Sequence, residues 1–216
     1  MSKLRFSIAI SLDGFVAGPD QSEENPLGIG GEKLHEWATP LKVFKEMHGR
    51  ASEGGEVNAS DDVLRERFTG VGASIMGRRM FSPVSGPWGA DPWRGWWGNE
   101  PPFHHPVFVL THHAREPLEL TGTTFYFVTE GIEKALEQAK EAAGGQDVTV
   151  AGGASVARQY LAAELLDEID LSIVPVLLGG GEGLFEGVEV DDIQLEQVRA
   201  VEAPGVTHIR YRVRTG

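Results

Sequence analysis

The sequence predicts an α/β fold: a mostly parallel central sheet with helices on both faces and an antiparallel C-terminal edge. Three observations carry this. Strand-like apolar runs alternate with helical patterns through the first two thirds of the chain, the order that builds a parallel sheet. Two of those runs, "GASIM" (72–76), followed by Gly77, and "DVTVAGG" (147–153), meet glycine directly before a helical start. The last third passes from strand to strand and closes on a hairpin about Pro204-Gly205. With 216 residues, a single domain over 1–216 is expected.

Taken in order, "LRFSIAIS" (4–11) is β-rich and reads as a buried first strand. The turn-rich segment 13–32 is a long loop. Leu34, Trp37, Leu41, Phe44 and Met47 recur near helical spacing over 33–49, with Pro40 as a break. "ASDDVLRERF" (59–68) reads as a helix capped by Asn58 or Ser60. "IMGRRMF" turns from strand to helix. The stretch 86–106, rich in Trp, Pro and Gly, is irregular, and "VFVLT" (107–111) and "TTFYFVT" (123–129) are strands. Residues 131–145 form an amphipathic helix ending at Gly-Gly. A further helix is expected over 154–166, and a long strand running into a glycine loop over 168–185.

Composition removes several function classes. There is no cysteine, which excludes disulfides, thiolate metal sites and thiol catalysis. A formal net charge of −13 argues against sequence-independent nucleic-acid binding, which needs a basic footprint. No apolar run approaches membrane-helix length, and the opening run is too short for a signal peptide. A soluble, cytoplasmic protein is the expectation.

In an open α/β sheet, ligands sit at the carboxyl ends of strands. Two such ends suit an anion. At Gly77 the backbone allows close approach, and Arg78 and Arg79 bring forked donors. At Gly152-Gly153, bare amides open a helix whose dipole favours a phosphate. Taken singly, a tight turn and a solvated arginine pair explain the same residues. His104-His105 and His112-His113 flank one strand, so the two pairs stand at its opposite ends and no shared metal is expected. Trp88, Trp93, Trp96 and Trp97 suit an aromatic pocket, a lid or a dimer contact.

The ordered set "SIAISLDGFVAG", "IMGRRMF", "VFVLTHH", "VTVAGGASVARQYL" and "LLDEIDLSIVPVLLGGGEGLF" resembles the dihydrofolate reductase-like superfamily. It is most similar to the branch holding the reductase domain of bacterial riboflavin biosynthesis, the RibD C-terminal domain. The resemblance runs over nearly the whole chain.

It implies NADPH as cofactor, a small pterin- or pyrimidine-like substrate and a homodimer. It places the cofactor's phosphates on Gly77, Arg78 and Arg79, with Thr111, His112 and His113 closing on the 2′-phosphate. The pyrophosphate falls to Gly152, Gly153, Ala154 and Ser155, and Ala9, Ile10, Val16 and Ala17 flank the nicotinamide. Two arginines with a hydroxyl and imidazoles suit a dianionic phosphate better than a ribose diol, hence NADPH rather than NADH. Asp61 and Asp62 fall about where folate-reducing relatives keep a carboxylate, and Asp13 lies in the "SLDG" turn; these are the catalytic candidates. Helix-dipole acids and an Asx turn are the structural alternatives for them. Where the riboflavin branch carries Asp-Gly-Lys, this chain has Asp13-Gly14-Phe15. A non-catalytic nucleotide-binding protein or a structural dimer on the same fold is the rival reading.

Overall fold

Along the chain run β1 (Leu4–Ser11), β2 (Phe15–Ala17), α1 (Lys42–Met47), α2 (Ala59–Phe68), β3 (Val71–Gly77), α3 (Arg78–Phe81), β4 (Val107–Leu110), β5 (Leu118–Leu120), β6 (Thr123–Val128), α4 (Ile132–Ala142), β7 (Asp147–Gly152), α5 (Ala154–Ala162), β8 (Glu168–Val174), β9 (Glu182–Gly183), β10 (Ile193–Ala203) and β11 (Val206–Thr215). The structure, a computed structural model, describes residues 2–188 and 193–215.

One 9-stranded sheet has the order β10-β11-β8-β1-β7-β3-β4-β6-β5, and β2 pairs with β9 beside it. Strands β8, β1, β7, β3, β4 and β6 run parallel. The C-terminal hairpin adds the expected antiparallel edge, and β5 adds a second one at the far side. Central strands β3 and β8 are buried almost throughout, as strands covered on both faces must be. The edge strand β10 is mostly exposed and carries a bulge between Gln197 and Arg199, a feature that discourages further pairing.

Local chemistry sets the element ends. Asn58 caps α2, its side chain accepting from the Ser60 amide at 2.9 Å. The helical pattern over 33–49 breaks, as Pro40 requires, into a 3-10 turn at Gly31–Leu34 and the short α1. The long strand expected over 168–185 stops at Val174, because Pro175 has no N–H to give a ladder. The helix expected over 154–166 ends at Ala162.

The two faces of the sheet are covered differently. Helices α4 and α5 pack on one, over Phe6, Ile75, Phe108, Val148 and Val150, and Tyr160 of α5 donates to the Ile132 carbonyl of α4 at 2.8 Å. On the other face, α2 and the segment carrying Leu34 and Trp37 cover the β1–β8–β11 end, and α1 packs on α2. Trp88, Trp93 and Trp97 cover the β4–β6 end, packed against Phe81, Phe125 and Phe127. The Trp-rich segment is therefore largely a second aromatic core.

Beneath α2 lies a buried polar layer. His208 is held between the hydroxyls of Ser60 and Ser172, each 2.9 Å away, and Arg67 donates to Ser172. Burial, and then the nearby Arg67 and Arg199, push His208 down to about 4. Burial and the neighbouring His104 do the same to His105, whose ring bonds Ser74. In the unfolded chain both imidazoles take their proton near the ordinary value of 6.5, before the folded chain does. The stability they contribute is complete above that value and is lost as pH falls from there towards 4. Each unit of difference is worth about 1.4 kcal/mol per group. The melting temperature is therefore expected to drop steadily between pH 7 and pH 4.5. The variant His208→Gln should show a flatter profile; an identical slope would remove His208 from the account.

Candidate functional site

The carboxyl ends of β1, β7, β3 and β4 lie in a row along one edge of the sheet. The β1–β7 ladder covers only Leu4–Phe6 against Val148–Val150. Beyond it, β1 pairs with β8 as far as Ser11, and β7 pairs with β3 as far as Gly152. Between β1 and β7 the hydrogen-bonding therefore stops short of the strand ends. The chain order also reverses here: β3 leads outward to β4 and β6, while β7 returns and β8 crosses to the other side of β1. A crevice at such a switch point is where open α/β sheets bind ligands.

The two glycine turns meet beside this crevice. A Cβ placed on Gly77 would stand 2.9 Å from Val156 Cγ2 of α5 and 4.0 Å from the Gly153 nitrogen. One on Gly152, where φ is +145°, would stand 3.2 Å from Met80 Sδ of α3. Each strand end thus packs on the helix that follows its neighbour. Gly153 differs: a Cβ there meets nothing within 4 Å. It heads α5 with no side-chain cap, and Val156 and Ala157 turn back to its carbonyl. The amides of Ala154 and Ser155 find no acceptor among the described residues. The result is an open cradle, floored by glycine backbone and aimed by a helix dipole, which fits an anion.

The arginine pair divides. Arg79 is exposed, with no hydrogen bond or ion pair among the described residues. Arg78 lies flat on Trp88, its guanidinium carbon 3.1 Å from the ring centroid, and one nitrogen donates to the Val84 carbonyl. Burial, with Arg115 nearby, lowers Arg78 to about 10. Past the end of β4, the Thr111 hydroxyl accepts from the His113 amide at 3.2 Å, and Trp88 donates to the His113 carbonyl. His112 is exposed. His105 is bonded to Ser74 before β4 starts, so the two histidine pairs do lie at opposite ends of that strand.

The carboxylates have other duties. Asp13 accepts from the Ser11 hydroxyl and from the amides of Leu178 and Gly179, tying the β1–β2 turn to the loop after β8. The Ser11 hydroxyl first, and then the Gly179 amide, hold it below the ordinary carboxylate value. This favours the ionised form and makes it a poor proton donor. Asp61 is 1% exposed. It accepts from the Val43 amide at 2.7 Å and from Arg65 Nε at 2.8 Å. Helix α1 has no cap of its own, so Asp61 supplies one from α2. Both of its carboxylate oxygens are thus engaged in structural bonds. Asp62, one residue on, is exposed. Ala9 packs with Leu34 and Val174, Ile10 and Val16 join the main core, and Ala17 is buried beside β9, where Gly181 approaches its carbonyl. Arg94 and Arg115, near Trp88 and Trp93, are not apparent from the sequence as part of this region. In sequence, a solvated arginine and one facing a pocket look alike.

A family model described as the RibD C-terminal domain matches residues 2–208. Among solved structures, a putative riboflavin biosynthesis protein from Shewanella sp. PV-4 superimposes with a TM-score of 0.64 at 22% identity, covering 99% of both chains. A diaminohydroxyphosphoribosylaminopyrimidine deaminase/5-amino-6-(5-phosphoribosylamino)uracil reductase from Thermotoga maritima gives 0.58 at 14% identity, with 98% of this chain covered but 56% of that one. Dihydrofolate reductase from Enterococcus faecalis, complexed with NADP(H), gives 0.51 at 12% identity, covering 99% and 96%. No curated protein matches the chain. At these identities the superpositions establish a shared fold: mixed α/β, dihydrofolate reductase-like, with a large mostly parallel sheet. Among the described residues, no helix is long and apolar enough to cross a membrane.

Proposed function

The chain belongs to the RibD C-terminal domain family, and from that premise we propose that it is an NADPH-dependent reductase of a small heterocyclic substrate, pterin- or pyrimidine-like. One observation carries the reading. The Gly77 turn and the Gly152-Gly153 turn stand side by side, with an uncapped helix and open space over Gly153, next to the crevice where β1 and β7 cease to pair.

The Ala154 and Ser155 amides would hold the pyrophosphate. Gly153 keeps that approach clear, and Arg79 lies free to pair with a phosphate. Thr111, His112 and His113 would close on the adenosine side. The β1 end, with Ala9 and Ile10, and the β2 residues Val16 and Ala17 would bound the nicotinamide side. These four residues are buried and apolar, which would keep water from the ring. When bound, the cofactor supplies the hydride, and the protein supplies binding and orientation. Asp62 is the one catalytic candidate of the three that is exposed and unengaged among the described residues.

A rival reading, nucleotide binding without turnover, draws on the engagement of Asp13 and Asp61 in structural bonds. One experiment separates the two. NADPH is expected to bind saturably, by its own fluorescence, and to be oxidised steadily with at least one member of a pyrimidine and pterin panel. Saturable binding with no turnover across the panel supports the rival. No binding at millimolar NADPH sinks the reductase reading.

A further inference from the structure

Three loops at the carboxyl ends of β1, β2 and β8 carry bare apolar side chains. Strands β1 and β8 end at the edge that holds the crevice, across it from the Gly152-Gly153 cradle. Leu12 follows β1 and is 67% exposed, Ile29 lies in the loop after β2 and is 60% exposed, and Leu177 follows β8 and is 71% exposed. A lone exposed leucine needs no explanation. These three, however, stand on backbone that is locked together. The Leu12 amide donates to the Val176 carbonyl, and the Leu178 and Gly179 amides donate to Asp13. A Cβ on Gly18 would collide with the Ile29 carbonyl, and one on Gly181 with that of Ala17. Backbone contacts thus fix an apolar rim beside the crevice, and a fixed apolar rim of this kind marks a binding surface.

The charge on the same loops is one-sided. Residues 11–31 and 171–187 contain no lysine, arginine or histidine, while Asp13, Asp20, Glu23, Glu24, Glu182 and Glu186 lie among them. Among the described residues, the one basic side chain that hydrogen-bonds to these loops is Arg158 of α5. It is committed, donating to the Gly183 and Glu186 carbonyls and pairing with Glu182 at 3.7 Å. Lys33, the next cation along the chain, belongs to the 3-10 turn that follows. The Ser11 hydroxyl and then the Gly179 amide hold Asp13 below the ordinary carboxylate value, so it is ionised at neutral pH. An anionic group arriving at this rim meets leucine and carboxylate.

We propose that the substrate is a heterocycle bearing an uncharged, apolar substituent and neither phosphate nor carboxylate, the substituent resting on Leu12 and Leu177. The inference rests on the reductase reading and narrows it. Selection comes from two sides: apolar contact favours the chosen ring, and unpaired like charge disfavours an anionic one. Leu12 and Leu177 are the specificity residues, and both lie outside the glycine turns that serve the dinucleotide.

The test is calorimetric titration of the full chain, in excess NADP⁺, with two matched pairs: 6-methylpterin against pterin-6-carboxylate, and 6-methyluracil against orotate. Within a pair the ring is the same and a methyl group is exchanged for a carboxylate. In at least one pair the methyl compound should bind about tenfold more tightly than its partner, or better. Leu177→Lys should shrink that ratio at least about threefold by strengthening the carboxylate compound. Leu12→Ser should weaken the methyl compound about threefold and leave its partner unchanged. Both positions are exposed, so the variants should fold, as their melting curves will verify. Equal affinity within both pairs, tighter binding of the carboxylates, or a ratio unmoved by Leu177→Lys overturns the inference. So does the failure of all four compounds to bind. In each of these cases dinucleotide binding, titrated separately, leaves the reductase reading in place. If the preference and its response to Leu177→Lys appear in a chain that binds no dinucleotide, the reductase reading falls and the specificity of the rim stands. Binding of neither dinucleotide nor any of the four compounds overturns both.

Discussion

Gly153→Asp is expected to fold like the wild type and to bind NADPH about 100-fold more weakly or worse. The two halves have separate causes. A Cβ at residue 153 meets nothing within 4 Å, and its φ of −92° is open to any side chain. Aspartate is also among the best N-cap residues, and exchanging it for glycine at such a position moves stability by only a few tenths of a kcal/mol. Its carboxylate would accept from the bare amides at the head of α5, where the proposed pyrophosphate sits. The anion would then lose those donors and gain a like charge at contact distance. Each effect is worth on the order of 1–3 kcal/mol, which together give two decades or more in affinity. Gly153→Ser, neutral and small, should stay within about tenfold of wild type. Calorimetric titration beside thermal melting reads both quantities. Unchanged affinity in Gly153→Asp would move the phosphates elsewhere.

Asp170→Asn should cost about 3–5 kcal/mol of folding free energy, read as a lower urea midpoint. Asp170 is 4% exposed and holds Arg210 at 2.9 Å and Arg67 at 3.7 Å. The Arg67 side chain is 5% exposed, and its Nε and Nη2 already lack acceptors. Burial pulls Arg67 below the ordinary guanidinium value, and Asp170 is the chief opposing influence. Removing that charge strands a cation in the interior, the expensive way to break a buried pair. Arg210 keeps Glu66 at the surface. The double variant Asp170→Leu with Arg67→Met should therefore recover much of the loss. Glu196→Gln, which loosens only exposed pairs on the C-terminal hairpin, should change stability by less than about 1 kcal/mol. If Asp170→Asn were equally mild, the polar layer under α2 would be far wetter than its burial implies.

The parts legible in the sequence are those where one residue type has one physical meaning. Glycine before a helical start at 77 and 153, the Asn58 cap and the Pro204-Gly205 turn each answer to backbone geometry, and each marks an element end in the structure. Strand β5 was not legible: three residues after Pro117 carry no periodicity, and they pair only because β6 offers an edge. Asp61 shows a second limit. Its place in the first turn of α2 is visible, but its bond to the Val43 amide joins two helices whose packing no local pattern specifies. The Trp-rich segment shows a third. Aromatic density announces burial, and only the fold decides that Trp88 lies under Arg78 and that Arg94 faces a cavity.

The most direct measurement follows amide chemical shifts during an NADPH titration of the isotope-labelled chain. The Ala154 and Ser155 amides should be among the resonances that move most, and Gly153→Asp should abolish the movement. Saturable NADPH binding that leaves both amides in place would contradict the claim that the paired glycine turns hold the dinucleotide.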